Sequence, residues 1–218
     1  MAKLKVGILI SGRGSNMAAL IRAAEASDYP AEIACVVSNK AEAGGLEIAA
    51  AAGIPTAVIS HRGHPDRESF DRDVSAVLEK HGVGLVALAG FLRIFSPWFP
   101  RHWAGRLINI HPSLLPSFKG LHVQRQAIDA GVRVSGCTVH FVIPDLDAGP
   151  IIAQAAVPVL QDDTEEALAA RILRQEHRLY PEVVRWFGEG RISTGGDGAK
   201  VAIDGVPRTA TLLFSDEP

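Results

Sequence analysis

KVGILISGRGSN, residues 5–16, decides how this chain folds. Its first half, Lys5 to Ile10, is an apolar run that reads as a strand buried on both faces. Its second half, Ser11-Gly12-Arg13-Gly14-Ser15-Asn16, is a glycine turn ending in two residues that favour helix N-caps. An alanine-rich helix is expected from Asn16 to Ala26. Strand, glycine loop and helix in that order begin a parallel α/β sheet.

The same alternation continues outward. AEIACVVS (31–38) reads as a second strand, with a helix from about Ala43 to Ala52 that Gly53 and Pro55 end. TAVIS (56–60) is a third strand, and Asp66–Lys80 spaces Phe70, Val74, Val77 and Leu78 as a helix does. GLVALAG (84–90) and GRLINI (105–110) complete a set of near-continuous apolar strands. Such strands between helices predict a doubly wound α/β fold with a mostly parallel sheet and a Rossmann-like N-terminal half. Beyond residue 130, VSGCTVHFVI (134–143) and PIIAQAAVPVL (150–160) have no helix between them, so they are expected to pair antiparallel. Asp163 with Glu166 resembles a capping box. It would open a helix bearing Leu168, Ile172, Leu179, Val183 and Trp186 on one face, which Pro181 should kink or interrupt. Residues 191–208 suggest a peripheral hairpin around Gly195–Gly198, and Ser215 to Pro218 a solvated tail.

The chain has 218 residues, 47% hydrophobic and 21% charged, with a net charge of −2. Those values fit one globular domain and argue against a nucleic-acid footprint or a polybasic membrane face. The expected division of that domain is into halves at 1–105 and 106–190, with 191–218 as the hairpin and tail. The two cysteines, Cys35 and Cys137, sit far apart in apolar runs and read as buried free thiols. The first apolar run, Val6 to Ile10, is too short for a signal peptide or a membrane span, so a cytoplasmic location is expected.

Three segments can carry chemistry. The loop Gly12–Asn16 can cradle an anion on backbone N–H groups and a helix N-terminus, or it can be an unliganded turn into a capped helix. It lacks the third glycine of a dinucleotide fingerprint and the G-K-[ST] of a Walker loop, so a single phosphate monoester fits it better. NIHPSLLP (109–116) follows a buried strand, at the end where ligands gather in open α/β sheets. If it stays extended, Asn109 and His111 share a face and offer an amide donor beside an imidazole, a pair suited to an oxyanion and a proton. PDLDAGP (144–150) holds two acids that are either turn formers or the carboxylate partner of a histidine. The other histidines at 61, 64, 81, 102 and 177 read as surface residues.

These residues carry a resemblance. VGILISGRGSN, VVSNKAEAGGLEIAAAAGI, LVALAGFLRIFSPWF, GRLINIHPSLLPSFKGLHVQRQAI, GCTVHFVIPDLDAGPIIAQAAVPV and QEHRLYP together resemble the phosphoribosylglycinamide formyltransferase family. The likeness extends over nearly the whole chain. It implies a folate-dependent enzyme of purine synthesis that moves the formyl group of 10-formyltetrahydrofolate to the amine of glycinamide ribonucleotide, with no metal.

The resemblance also implies roles for particular residues. Asn109, His111 and Asp147 match the catalytic trio, with Asn109 and protonated His111 on the oxyanion. Asp147 would keep His111 charged and position a water for proton transfer. Gly12, Arg13, Gly14, Ser15 and Asn16 match the phosphate cradle, Gly90 and Leu92 lie beside the nucleotide, and Glu176 matches the ribose contact. Arg93, Ile94 and Phe95, with Asn109, match the folate site, whose pterin is read by backbone groups. Arg67 matches the arginine that meets the folate glutamate. Cys137 has no thiol role, and His122 and His140 are candidates for support near the site. The implied partners are the two small molecules, without nucleic acid or membrane, in a monomer or homodimer. Two relatives compete. A methionyl-tRNA formyltransferase should carry an RNA-binding domain and a basic surface, and a formyltetrahydrofolate hydrolase an N-terminal regulatory domain. A non-catalytic phosphosugar-binding protein would need the glycine loop but not the trio.

Overall fold

Residues 2–194, 200–205 and 212–214 are described in a computed structural model. They form two compact units, Met1–Asn109 and Ile110–Pro218. The first contains β1 (Leu4–Ile10), α1 (Ser15–Ala24), β2 (Ala31–Ser38), α2 (Gly45–Ala51), β3 (Thr56–Val58), α3 (Arg67–Lys80), β4 (Leu85–Leu88) and α4 (Trp98–His102). Strand β5 (Leu107–His111) ends it and enters the second unit. Its strands pair in the order β5-β4-β1-β2-β3, all parallel. Val6, Ile8, Leu9 and Ile10 have no exposed surface, as a central parallel strand covered on both faces requires.

The strand order fixes where a ligand can sit. From β1 the chain moves one way to β2 and β3, then returns to the other side for β4 and β5. That reversal opens a crevice between the carboxyl ends of β1 and β4, the ligand position of doubly wound sheets. The glycine loop leaves β1 there, and the segment beginning at Gly90 leaves β4 there. The helix at 66–80 is present, with Asp66 as its N-cap accepting the Ser69 N–H at 2.8 Å. The short helix α4 was not expected; five residues are too few to show helical periodicity.

The second unit holds α5 (Val123–Asp129), β6 (Val134–Phe141), β7 (Ile151–Pro158), α6 (Glu165–Gly188), β8 (Ile192–Thr194), β9 (Val201–Ile203) and β10 (Leu212–Phe214). Strands β6 and β7 pair antiparallel, as their short connection implied. The helix α6 packs its apolar face on them and meets α5. Two readings of α6 need correction. Thr164, not Asp163, is its N-cap, accepting the Ala167 N–H at 3.2 Å. The Asp163 carboxylate is taken by Arg171 in a bidentate pair at 2.6 and 2.8 Å. Pro181 does not interrupt the helix, which continues from Glu165 to Gly188.

Strands β8 and β9 pair antiparallel, and the expected turn at 195–198 lies outside the described residues. The sequence reading gave no strand at 212–214, where β10 pairs parallel with β7. The tail at 215–218 is outside the described residues. Cys35 and Cys137 are free and buried. Burial pushes the Cys35 thiol up to about 11 and raises that of Cys137 further, so neither supplies a thiolate near neutrality. Among the described residues no helix is long and apolar enough to cross a membrane.

Candidate active site

In the first unit, Ser11 ties together the two loops at the crevice. Its N–H donates to the Gly90 carbonyl at 3.1 Å. Its hydroxyl donates to Asn39 Oδ1 at 2.6 Å and accepts the Leu92 N–H at 2.8 Å. Gly14 rather than Ser15 or Asn16 is the N-cap of α1, with φ 74° and no side chain to cap the first turn. That turn also carries no acidic residue to offset the positive end of the helix. A side chain at Gly14 would meet backbone as well as strain φ: its Cβ would lie 2.9 Å from Gly45 Cα. Arg13 is exposed on the outside of this loop.

Beyond Gly90 and Leu92 the chain presents Arg93, Ile94 and Phe95. Leu92 and Ile94 are 66% and 60% exposed, an uncovered apolar pair beside backbone amides. Phe95 is stacked between Phe91 and Phe99, with centroids 5.3 and 4.2 Å away, which stiffens the segment from behind. The guanidinium of Arg93 sits 4.8 Å from the Phe70 ring centre. Asp71, almost fully buried in α3, accepts the Ser96 N–H at 2.6 Å and so pins the far end of the segment. Burial raises the Asp71 carboxyl above the usual range, against the opposing effects of Ser96, Arg93 and Arg67. Arg67 is exposed in the first turn of α3, where a cation opposes the helix dipole.

In the second unit three ionisable side chains meet. His111 closes β5, and Pro112 stops the strand after it. The His111 and Asp147 side chains are 6% and 9% exposed. His111 Nε2 lies 2.9 Å from the Phe118 carbonyl. A carbonyl only accepts, so Nε2 carries a proton. Nδ1 faces Asp147 Oδ2 at 3.7 Å, too far for a hydrogen bond but close for a charge. Asp147 has φ 47°, a left-handed conformation that aspartate tolerates, and its Oδ2 accepts the Gly120 N–H at 2.9 Å. His140, buried on β6, donates from Nδ1 to the Phe141 carbonyl at 2.8 Å, with Nε2 4.0 Å from Asp147 Oδ1. Burial holds the His140 imidazole below its ordinary value and outweighs the pull of Phe141 and Asp147.

The structure thus brings Gly12–Asn16 together with Gly90 and Leu92, and His111 together with Asp147 and His140. Asn109 is half-buried two residues before His111 on β5, so strand geometry sets both on one face. Glu176 is buried in α6, where its charge acts on Cys137 and Tyr180. His122, exposed at φ 56°, begins α5. Sequence reading missed Ser11, Ser113, Phe118 and Gly120. The last two act through main-chain atoms, which no residue type announces. Among the described residues no group of three His, Cys, Asp or Glu side chains could hold a metal ion.

Comparison with known proteins agrees with this architecture. Residues 4–184 match the family model for formyl transferase. The chain is 46% identical over 189 residues to the phosphoribosylglycinamide formyltransferase of Escherichia coli (strain K12), covering 87% of this chain and 89% of that protein. It is 48% identical over 196 residues to the trifunctional purine biosynthetic protein adenosine-3 of Bos taurus, covering 90% of this chain but only 19% of that protein. A crystal structure of phosphoribosylglycinamide formyltransferase from Anaplasma phagocytophilum superposes with a TM-score of 0.90 at 48% identity, covering 97% of this chain and 98% of the other. The open α/β sheet with a glycine loop at its switch point is the architecture of the formyltransferase structures this chain matches. The chain belongs to the formyl transferase family.

Proposed function

We propose that this enzyme transfers the formyl group of 10-formyltetrahydrofolate to the primary amine of glycinamide ribonucleotide, in purine biosynthesis. One observation carries the mechanism: the nearly buried His111 imidazole faces an equally buried carboxylate, with Nδ1 3.7 Å from Asp147 Oδ2. The neutral amine attacks the formyl carbon and the carbonyl oxygen gains negative charge. The side-chain amide of Asn109 donates to that oxyanion, a contact of a kind worth about 3–4 kcal/mol in the transition state. The His111 imidazolium shares that oxyanion with Asn109, and Asp147 stabilises the imidazolium and positions a water. That water takes the proton released by the attacking nitrogen and delivers one to N10 as the carbon–N10 bond breaks. The products are the formylated amide and tetrahydrofolate, and no proton is left over.

Gly12–Asn16 is assigned to the phosphate, supported by the uncapped N-terminus of α1 and its lack of acids. Arg13 adds charge at the rim, Gly90 and Leu92 flank the ribonucleotide, and Glu176 is assigned to its ribose. Arg93, Ile94 and Phe95 are assigned to the pterin, supported by the exposed apolar pair and the stiff aromatic backing. Arg67 is assigned to the folate glutamate. The test is direct: the full chain with both substrates should convert 10-formyltetrahydrofolate only when the ribonucleotide is present. No conversion, or formate released equally well without the ribonucleotide, refutes the assignment.

A further inference from the structure

We infer that Asp71 is a positioning residue for the folate: from α3 it holds the Ser96 N–H and so keeps the main chain of Arg93, Ile94 and Phe95 open to the pterin. The inference rests on the assignment of those three residues to the pterin. They lie in neither a helix nor a strand. Among the described residues, no protein group hydrogen-bonds to their main-chain N–H or carbonyl groups. Such main chain loses conformational entropy when a ligand orders it, unless the residues on either side have ordered it already.

Here both ends are held. At one end the Leu92 N–H donates to the Ser11 hydroxyl at 2.8 Å, and Ser11 is itself tied to Gly90 and Asn39. At the other end the Ser96 N–H donates to Asp71 Oδ2 at 2.6 Å, a short bond to a carboxylate. Between them the Arg93 guanidinium lies 4.8 Å from the ring centre of Phe70, the residue before Asp71. Two consecutive residues of α3 therefore hold one side chain and one amide of the segment. Packing alone does not call for an acid at this place. Asp71 is 1% exposed, and its hydrogen bond goes to main chain rather than to a cation. An apolar residue would fill the same space without burying a carboxylate. What the carboxylate adds is a fixed Ser96 N–H, and with it a fixed course for the three residues before it. The same helix carries Arg67, assigned to the folate glutamate, one turn before Asp71. A single helix thus locates both ends of the folate, the glutamate through Arg67 and the pterin-reading main chain through Asp71.

The experiment is calorimetric titration of the full chain with tetrahydrofolate and, separately, with glycinamide ribonucleotide, alongside amide hydrogen exchange of residues 91–96. Asp71→Ala should raise Kd for tetrahydrofolate about tenfold, the scale of one lost hydrogen bond, and leave Kd for the ribonucleotide unchanged. In the same variant, without ligand, the Ser96 amide should exchange faster than in wild type. Asp71→Asn, which keeps an acceptor for that amide, should bind tetrahydrofolate nearly as wild type does. Wild-type affinity for tetrahydrofolate in Asp71→Ala overturns the inference. So does an equal loss for both ligands, which would reflect general loosening, and so does a loss in Asp71→Asn as large as in Asp71→Ala. If Asp71→Ala does not melt cooperatively, Asp71→Leu, near aspartate in shape and without an acceptor, carries the same test. Wild-type enzyme that does not bind tetrahydrofolate at all refutes the folate assignment itself, an outcome distinct from wild type and Asp71→Ala binding it alike.

Discussion

Replacing Asp147 by asparagine removes a charge and little else. Asparagine keeps an oxygen for the Gly120 N–H, now 2.9 Å from Oδ2, and tolerates φ 47° as aspartate does. The unfolding free energy of Asp147→Asn should therefore stay within about 1 kcal/mol of wild type. Turnover should not. With Nδ1 and Oδ2 3.7 Å apart, unit charges attract by roughly 4–5 kcal/mol at an effective dielectric constant of about 20. That attraction exists only while His111 holds the extra proton, so most of it is lost from the transition state. A fall in kcat of about 10²–10³-fold, or roughly 3–4 kcal/mol, follows. Asp147→Ala should lose as much activity and also about 1–3 kcal/mol of stability, because it deletes the Gly120 acceptor and leaves a left-handed residue without side-chain support. Steady-state kinetics paired with denaturant unfolding separates charge from scaffold. Near-normal kcat in folded Asp147→Asn refutes the role of the carboxylate.

Three further outcomes follow from the same geometry. Gly14→Ala should cost about 1–3 kcal/mol from left-handed strain and the contact with Gly45. It should also raise KM for the ribonucleotide about tenfold while leaving KM for the folate alone; equal effects on both would detach the loop from the phosphate. Asp71→Asn should stabilise the enzyme at neutral pH. Burial makes the native state hold the Asp71 proton more tightly than the unfolded chain, whose value is 3.8, so the ionised acid loses stability as pH rises past that region. Equilibrium unfolding should show the gain at pH 7 and none in strong acid; a gain independent of pH would point to another cause. His140 has the opposite linkage. Its native imidazole resists the proton that the unfolded chain takes up near 6.5, so wild-type stability falls as pH drops below that value. In His140→Asn the melting temperature should decline less between pH 7 and 5, and an identical decline would remove His140 from the acid sensitivity.

How much of this was legible beforehand depended on where the determinants lie. The strands at 5–10 and 31–38 were readable because burial on both faces writes itself as apolar runs, here Val6–Ile10 and Cys35–Val37. Asn109 and His111 were readable because two positions on one strand share a face. The choice of acid in PDLDAGP was not, since Asp145 and Asp147 differ only in backbone course: Asp147 sits at the left-handed position that turns it to Gly120 and His111. The cap of α6 was misassigned because Asp163 and Arg171, eight residues apart, claim each other across the helix start. Strand β10 depends on pairing with β7, and α5 on packing against α6. Such short elements carry too little periodicity to read alone.

The site also depends on main-chain atoms that the sequence conceals. The Phe118 carbonyl accepts from His111 Nε2, the Gly120 N–H donates to Asp147, the Gly90 carbonyl accepts the Ser11 N–H, and the Leu92 N–H donates to the Ser11 hydroxyl. A backbone group has no identity to mutate, so its position must be controlled by residues that bind it. In both units a buried serine does this: Ser11, 4% exposed, for the loops at the crevice, and Ser113 for the loop behind His111. Serine suits the task because one hydroxyl can donate and accept in a small volume, with less side-chain freedom to lose than a longer polar residue. The carbonyl and the carboxylate on either side of the His111 ring are thus each fixed by hydrogen bonds of their own, so the ring sits between groups already in place.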